Sequence, residues 1–462
     1  NANGSVIRFS LKSPSLSELL VKPQGMALPL GGFESSGEVT VAGEALRFEI
    51  TARGDDIRPA LAQIASFEPT VNTYKIKAVG QSRGGRVTLQ QLNAETGNLE
   101  VTLTGQAGGS PENEAIDLVF SAVTKDVSAL GRLNGERLPP MTLEIKADLK
   151  GRPQQLSSQS LSVSLGESRL EGSLDLTLNG PKPSVKLTAT ASRVDLRPFI
   201  NDSETGQAGK AGDKKKKLIP ATPLPLDSLA AIDLDLKLHI AELLLKKERL
   251  ENLVVEATLL DGSMKAPLFS FEGARGHLNS AFSITPTGAG NASVKVDLTA
   301  DKLILNLTGQ PRDKQKQQPA LDVDFHANGN GSTWSEVAGS MNGGVFLGSM
   351  GGTLDGTNLS GLDRFLLDEV LKLILPTSEN SDALQITCAA GILKITDGRL
   401  ETSPAIAVTT TRMAMVSKGS INLKTEKINL DFNATPNSTF KINTGELFNP
   451  YIVISGTLSN PK

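Results

Sequence analysis

The chain has 462 residues, enough for two or three ordinary domains, and a formal net charge of −3, so no basic face for a nucleic acid is expected. Hydrophobic residues make up 39% and aromatics only 4%, while glycine reaches 44, a mix that suits long repetitive sheets better than a compact enzyme core. Cys388 is the single cysteine, which excludes an intrachain disulfide and a zinc site made of cysteines. No run of 18 apolar residues offers a membrane-spanning helix.

The first section, 1–150, is a series of short alternating segments separated by Gly-rich turns. Ser5 to Leu11 is one, and Gly37 to Ala42 pairs with Ala45 to Ile50 around Gly43-Glu44, a hairpin signal. Asn72 to Val79, Arg86 to Leu89, Leu99 to Leu103, Ile116 to Val123 and Met141 to Leu149 follow. Ile57 to Phe67 reads as a short helix, and Leu130 to Leu138 as a loop or short helix. In the next section, 151–200, Ser168 to Leu178 goes out and Asn179-Gly180-Pro181 turns. Val185 to Ala189 returns and Ser192 to Phe199 closes the unit. A loose second copy runs from His277 to Leu305, which points to an array of hairpins. Between the copies, 201–220 is a Gly- and Lys-rich loop carrying the tetralysine Lys214 to Lys217.

The stretch Ile232 to Ile240 shows the pattern at its clearest. Ile232, Leu234, Leu236, Leu238 and Ile240 alternate with Asp233, Asp235, Lys237 and His239, so a strand here has one apolar and one wet face. The last section, 221–462, keeps this signal through Leu321 to Ala327, Ala383 to Cys388, Gly391 to Ile395, Ala405 to Thr410, Lys427 to Ala434 and Tyr451 to Leu458. A helix is expected at 360–375, capped by Ser360 and ended by Pro376. The chain opens on Asn1 and reads as a piece of a longer protein.

No catalytic constellation emerges: HExxH, GxSxG, P-loop and GxGxxG motifs are all missing, and no cofactor is expected. The histidines His239, His277 and His326 read as solvated or satisfied, Trp334 as a packing anchor and Cys388 as a buried small hydrophobe. Fifteen or so amphipathic strands must each cover an apolar face. They pack on one another, or they leave an apolar trough whose exposure costs about 25 cal/mol per Å² unless something apolar fills it.

Several runs resemble the AsmA family. They are Val194-Asp195-Leu196-Arg197-Pro198, Pro223-Leu224-Pro225-Leu226-Asp227-Ser228-Leu229, Ile232 to Leu236, Leu250 to Leu253 and Ala257 to Gly262. Pro267-Leu268, Gly273-Ala274-Arg275-Gly276, Cys388 to Gly398 and Gly419 to Leu423 complete the likeness, which is good over 161–462 and looser before. The resemblance implies a long curled antiparallel β-sheet, a groove of repeated hairpins with a few short helices. It implies a non-enzymatic bridge for phospholipid acyl chains between inner and outer membranes that supports outer-membrane integrity. It places the chain in the periplasm of a Gram-negative bacterium, anchored to the inner membrane through a helix that this chain lacks, with outer-membrane or periplasmic protein partners. Neighbouring strands lie roughly 4.8 Å apart, so twenty would span about 100 Å. The expected lining is Leu174, Leu176, Leu178, Leu234, Leu236, Leu238, Ile240, Val294, Val296 and Leu298. The alternative is a structural or adhesive β-repeat scaffold whose apolar faces bury each other and whose strand edges bind proteins.

Overall fold

The structure, a computed structural model, describes residues 4–13, 32–61, 67–109, 114–133, 135–200, 218–246, 248–304, 318–354, 384–411, 413–436 and 451–461. The chain forms two units, Asn1–Phe199 and Ile200–Lys462. Both are mainly β, built from successive antiparallel hairpins with a few short helices.

The first unit contains β1 (Val6–Ser13), β2 (Phe33–Ala42), β3 (Ala45–Gly54), the single-turn α1 (Arg58–Leu61), β4 (Phe67–Pro69), β5 (Tyr74–Arg83), β6 (Arg86–Thr96), β7 (Leu99–Gly108) and β8 (Ala115–Thr124). It continues with β9 (Gly131–Leu133), β10 (Glu136–Arg137), β11 (Leu143–Arg152), β12 (Gln155–Leu165), β13 (Ser168–Thr177) and β14 (Ser184–Asp195). The main ladder takes the strands in chain order, skipping β4, β9 and β10, which form a small separate sheet. Leu130 to Leu138 was expected to be a loop or short helix. It instead supplies β9 and β10, because Gly131 to Leu133 finds a partner in Phe67 to Pro69, far away in sequence. The ladder passes position 150 without a break, since β11 spans it.

The second unit contains α2 (Leu226–Ala230), β15 (Asp233–Leu244), β16 (Arg249–Leu260), β17 (Ser263–Glu272), β18 (Arg275–Gly288), β19 (Asn291–Ile304), β20 (Leu321–Gly331), α3 (Trp334–Gly339) and β21 (Asn342–Ser349). After these come β22 (Gly352–Leu354), β23 (Leu384–Thr396), β24 (Arg399–Thr410), β25 (Met413–Asn422), β26 (Lys427–Pro436), β27 (Tyr451–Thr457) and β28 (Asn460–Pro461). Strands again pair in chain order, with β21 and β22 both bonding to β23. Near the end of the second repeat copy, Asp301 to Ile304 continues β19. The helix expected at 360–375 and the loop 201–217 lie outside the described residues.

Tight turns set the register. Asp261-Gly262 and Asp397-Gly398 each place two successive residues at positive φ (51° and 77°, 47° and 70°), the geometry that matches strand twist in a two-residue hairpin. Bulges then bend individual strands. Between Ser158 and Leu161, β12 takes three steps where β13 takes two, from Leu174 to Gly172. Pro267, which has no N–H to give a ladder, sits where β17 is out of step with both neighbours.

Candidate functional site

Residues directly opposite each other in an antiparallel pair share a face. Following partners across the first unit gives an unbroken apolar row. It runs from Ala52 on β3 through Ile76, Ala94, Val101, Ala122, Ile145 and Val163 to Leu170 and Ala191 on β14. The row one residue over reads Thr51, Lys77, Asn93, Thr102, Ser121, Lys146, Ser162, Glu171 and Thr190, and belongs to the opposite face. From β3 to β14 these two rows set an apolar face against a largely polar one, on which Val119 and Val123 of β8 are also exposed. Most of the apolar row is half-buried rather than enclosed. Aromatic rings lie over glycines of the next strand, Phe48 over Gly80 and Tyr74 over Gly54, so the ring covers backbone that has no side chain of its own. At one strand end Phe33, Tyr74, Val127 and Leu130 are buried. Burial, with the Asp55 carboxylate as a lesser cause, pushes the Tyr74 phenol up from its ordinary pKa.

The second unit repeats the arrangement. Leu238 on β15 faces Val255, which faces Phe269; beyond Ser280 the row continues as Leu298, Phe325, Val345 and Leu393. The middle of this face is half-buried, at Leu236, Leu238, Val255, Phe269, Phe282, Val296, Leu298, Phe325 and Val345. One end is closed by the chain itself. Leu224 and Val337 pack with Ile284, Ala292 and Val294, and Leu226, Leu229, Met264, Trp334 and Met341 pack around them. This cap is held firmly. The Leu224 N–H donates to the Ser332 carbonyl at 2.8 Å, and the Trp334 N–H donates to the Thr222 carbonyl at 3.3 Å. Thr333 caps α3 by accepting from the Glu336 N–H, while the Glu336 carboxylate reaches back to accept from the Ser332 N–H and hydroxyl, a variant of the capping box. The Ser332 donors hold the Glu336 carboxyl below its ordinary range. At the other end of β15, beyond the buried Ile240, Glu242 is also buried and pairs with Arg249 at 2.6 Å. A further closed core joins Ile428, Leu430, Phe432 and Ile454.

No family model matches this chain, and no curated protein matches it either. The candidate site therefore stands on its geometry.

The expected lining residues fall into three groups. Leu174 and Leu176 on β13 and Leu234, Leu236, Leu238, Val296 and Leu298 are half-buried on the apolar faces. Ile240 and Val294 are buried at 6% and 4% exposure, Val294 as part of the capped core. Leu178 lies just past the end of β13 and is exposed, its N–H donating to the Gln154 carbonyl. Sequence reasoning did not nominate the first unit's row or Phe282, Phe325 and Val345. Their alternation within each strand is the signal that finds them. Cys388, expected to be buried, is exposed, because it shares a face with Ala390 and Ile392 on the side of β23 away from the row.

Away from the buried Glu242–Arg249 pair, polar chemistry gathers on the other face and at the bulges. Asp148 accepts from the Ser160 N–H and hydroxyl and from the Ser158 hydroxyl, which lowers its pKa to about 2 and pins the β12 bulge. Arg197 similarly lowers Asp195. Among the described residues no three His, Cys, Asp or Glu side chains stand close enough to hold a metal.

Proposed function

We propose that the chain is a non-enzymatic conduit for lipid, with acyl chains lying on the apolar faces and headgroups in water. One observation carries this reading: apolar residues stay in register across successive strands and remain half-buried in the middle of each face. Left to water, that area costs about 25 cal/mol per Å², and a flexible hydrocarbon chain is the partner that covers a long, smooth aliphatic strip without demanding specific polar contacts. Strand bulges supply the bends by which such a sheet curls into a groove. In this reading no bond is made or broken. The phospholipid cargo, the periplasmic location, the inner-membrane anchor and the outer-membrane role rest on the resemblance to AsmA-like sequences.

A second reading, a scaffold with mutually buried faces, is favoured locally by the closed clusters around Val337 and around Ile454. Organic extraction of purified, detergent-free protein followed by lipid mass spectrometry separates the two. Phospholipid near or above one molecule per chain is expected. A lipid-free, monodisperse protein would move the scaffold ahead.

A further inference from the structure

The polar face of the first unit holds a cluster that the lipid reading does not use. Lys12 on β1 is the register partner of Glu34, Glu34 of Arg53, and Arg53 of Lys75, so these four side chains stand in one row on four adjacent strands. The next row on that face begins with the hydroxyls Ser10, Ser36 and Thr51 and reaches Lys77 on the fourth strand, which pairs with Glu49. The four charged residues and the three hydroxyls line a cavity of about 580 Å³ that also touches Leu11 and Ser35.

Several other cations on the same face pair with one carboxylate each: Arg8 with Glu38, Lys77 with Glu49, and Arg83 with Glu44. Here the lining holds three cations, Lys12, Arg53 and Lys75, and one carboxylate, Glu34, which pairs with two of them. Glu34 takes Lys12 on one oxygen at 2.7 Å and Arg53 on the other at 2.6 Å. The two cations hold its pKa at about 2, so it stays ionised and cannot relieve the excess by changing charge. The Lys75 ammonium, unlike its backbone, has no hydrogen bond or ion pair among the described residues. Its register partner on the far side, Glu95, does not line the cavity. The cavity therefore has surplus positive charge beside a row of neutral donors.

We propose that this cavity is an oxyanion site that takes a phosphate group, with Lys75 and Arg53 supplying charge and Ser10, Ser36 and Thr51 supplying hydroxyl donors. A tetrahedral oxyanion offers several acceptors at once, which suits cations and hydroxyls converging from neighbouring strands. The phosphate belongs either to a free phosphate compound or to a lipid headgroup, and the two sources are separable. Its charged residues and the hydroxyls of Ser10, Ser36 and Thr51 lie on the face opposite the apolar row, so its failure leaves the lipid reading standing.

The test uses the whole chain at about 20 mM salt, where exposed charges are weakly screened, and again at about 200 mM. Equilibrium dialysis against labelled inorganic phosphate probes the free form. Flotation with phosphatidic acid vesicles, compared with phosphatidylcholine vesicles, probes the headgroup form. Lys75→Ala should weaken binding by about fivefold, and Glu34→Gln, which releases Lys12 and Arg53, should tighten it by about threefold. Whichever probe shows both responses names the source. No saturable binding of either probe, or binding that ignores both variants, overturns the site. Phosphatidic acid binding insensitive to the variants would belong to the apolar face and counts against it too.

Discussion

The two units solve the same problem differently. Both carry an apolar face of registered rows, but the second closes one end of its face with its own chain, driving Ile284, Val294 and Val337 to 5%, 4% and 1% exposure. The row traced across the first unit alternates alanines with larger side chains, and its larger members Ile76, Val101, Ile145, Val163 and Leu170 stay half-buried. In the first unit, ladder hydrogen bonds, rings lying over glycines and the buried strand end of Phe33, Tyr74, Val127 and Leu130 hold strands together. In the second, packed clusters add to the ladder. Covering a face and forming a sheet are thus separate tasks, and the chain performs the first only in places.

The largest expected effect concerns what covers the half-buried rows. Leu236→Asp in the second unit and Leu174→Asp in the first put a charge on each face, at positions that are not enclosed cores. Each should remove most of the co-purifying lipid measured by mass spectrometry while far-ultraviolet circular dichroism stays β-rich. If only one variant loses lipid, that unit carries the cargo. If either unfolds the chain, its residue is core.

Stability should separate the units next. Ile284→Ala empties a packed cluster and should cost about 3 kcal/mol, whereas Ile76→Ala on the first unit's open row should cost about 1 kcal/mol. Urea unfolding measures both, and equal losses would erase the contrast drawn above. Gly80→Ala tests the ring-over-glycine device, because a Cβ there collides with the Thr88 carbonyl oxygen and the Phe48 ring. It should cost about 2 kcal/mol. A neutral result would show that the strand shifts without penalty.

The smallest effect comes from the β12 bulge. Asp148 has a folded pKa of about 2 against an ordinary 3.8, so its contribution is complete above the ordinary value and is lost as pH falls through the folded one. Asp148→Asn should destabilise by about 1 kcal/mol at neutral pH, with the difference from the parent shrinking below pH ~3. A difference that persists unchanged at low pH would remove the carboxylate from the account.

Much of this fold was legible because a strand advertises itself by period two. Ile232 to Ile240 announced both its strand and its wet face, and the pair around Gly43-Glu44 lies where its turn chemistry put it. Features requiring long-range partners were not legible. Gly131 to Leu133 is a strand only because Phe67 to Pro69 pairs with it. Leu224, isolated between prolines, is buried only because Ser332 to Trp334 receives it. Trp334 was recognised as a packing anchor, but the sequence alone did not show that it begins the cap over Val294. The lining was half legible: alternation identified the face, whereas the cap decides which of its residues are covered, and caps leave no period in a sequence.

Pairing between successive strands has one more consequence. Each hairpin added to such a ladder meets the same edge as the one before it, so a duplicated or deleted pair of strands changes length without rethreading the chain. Span thus becomes a quantity that gene duplication can adjust in small increments. A ribosome can also lay the sheet down strand by strand, each new segment finding its partner already in place.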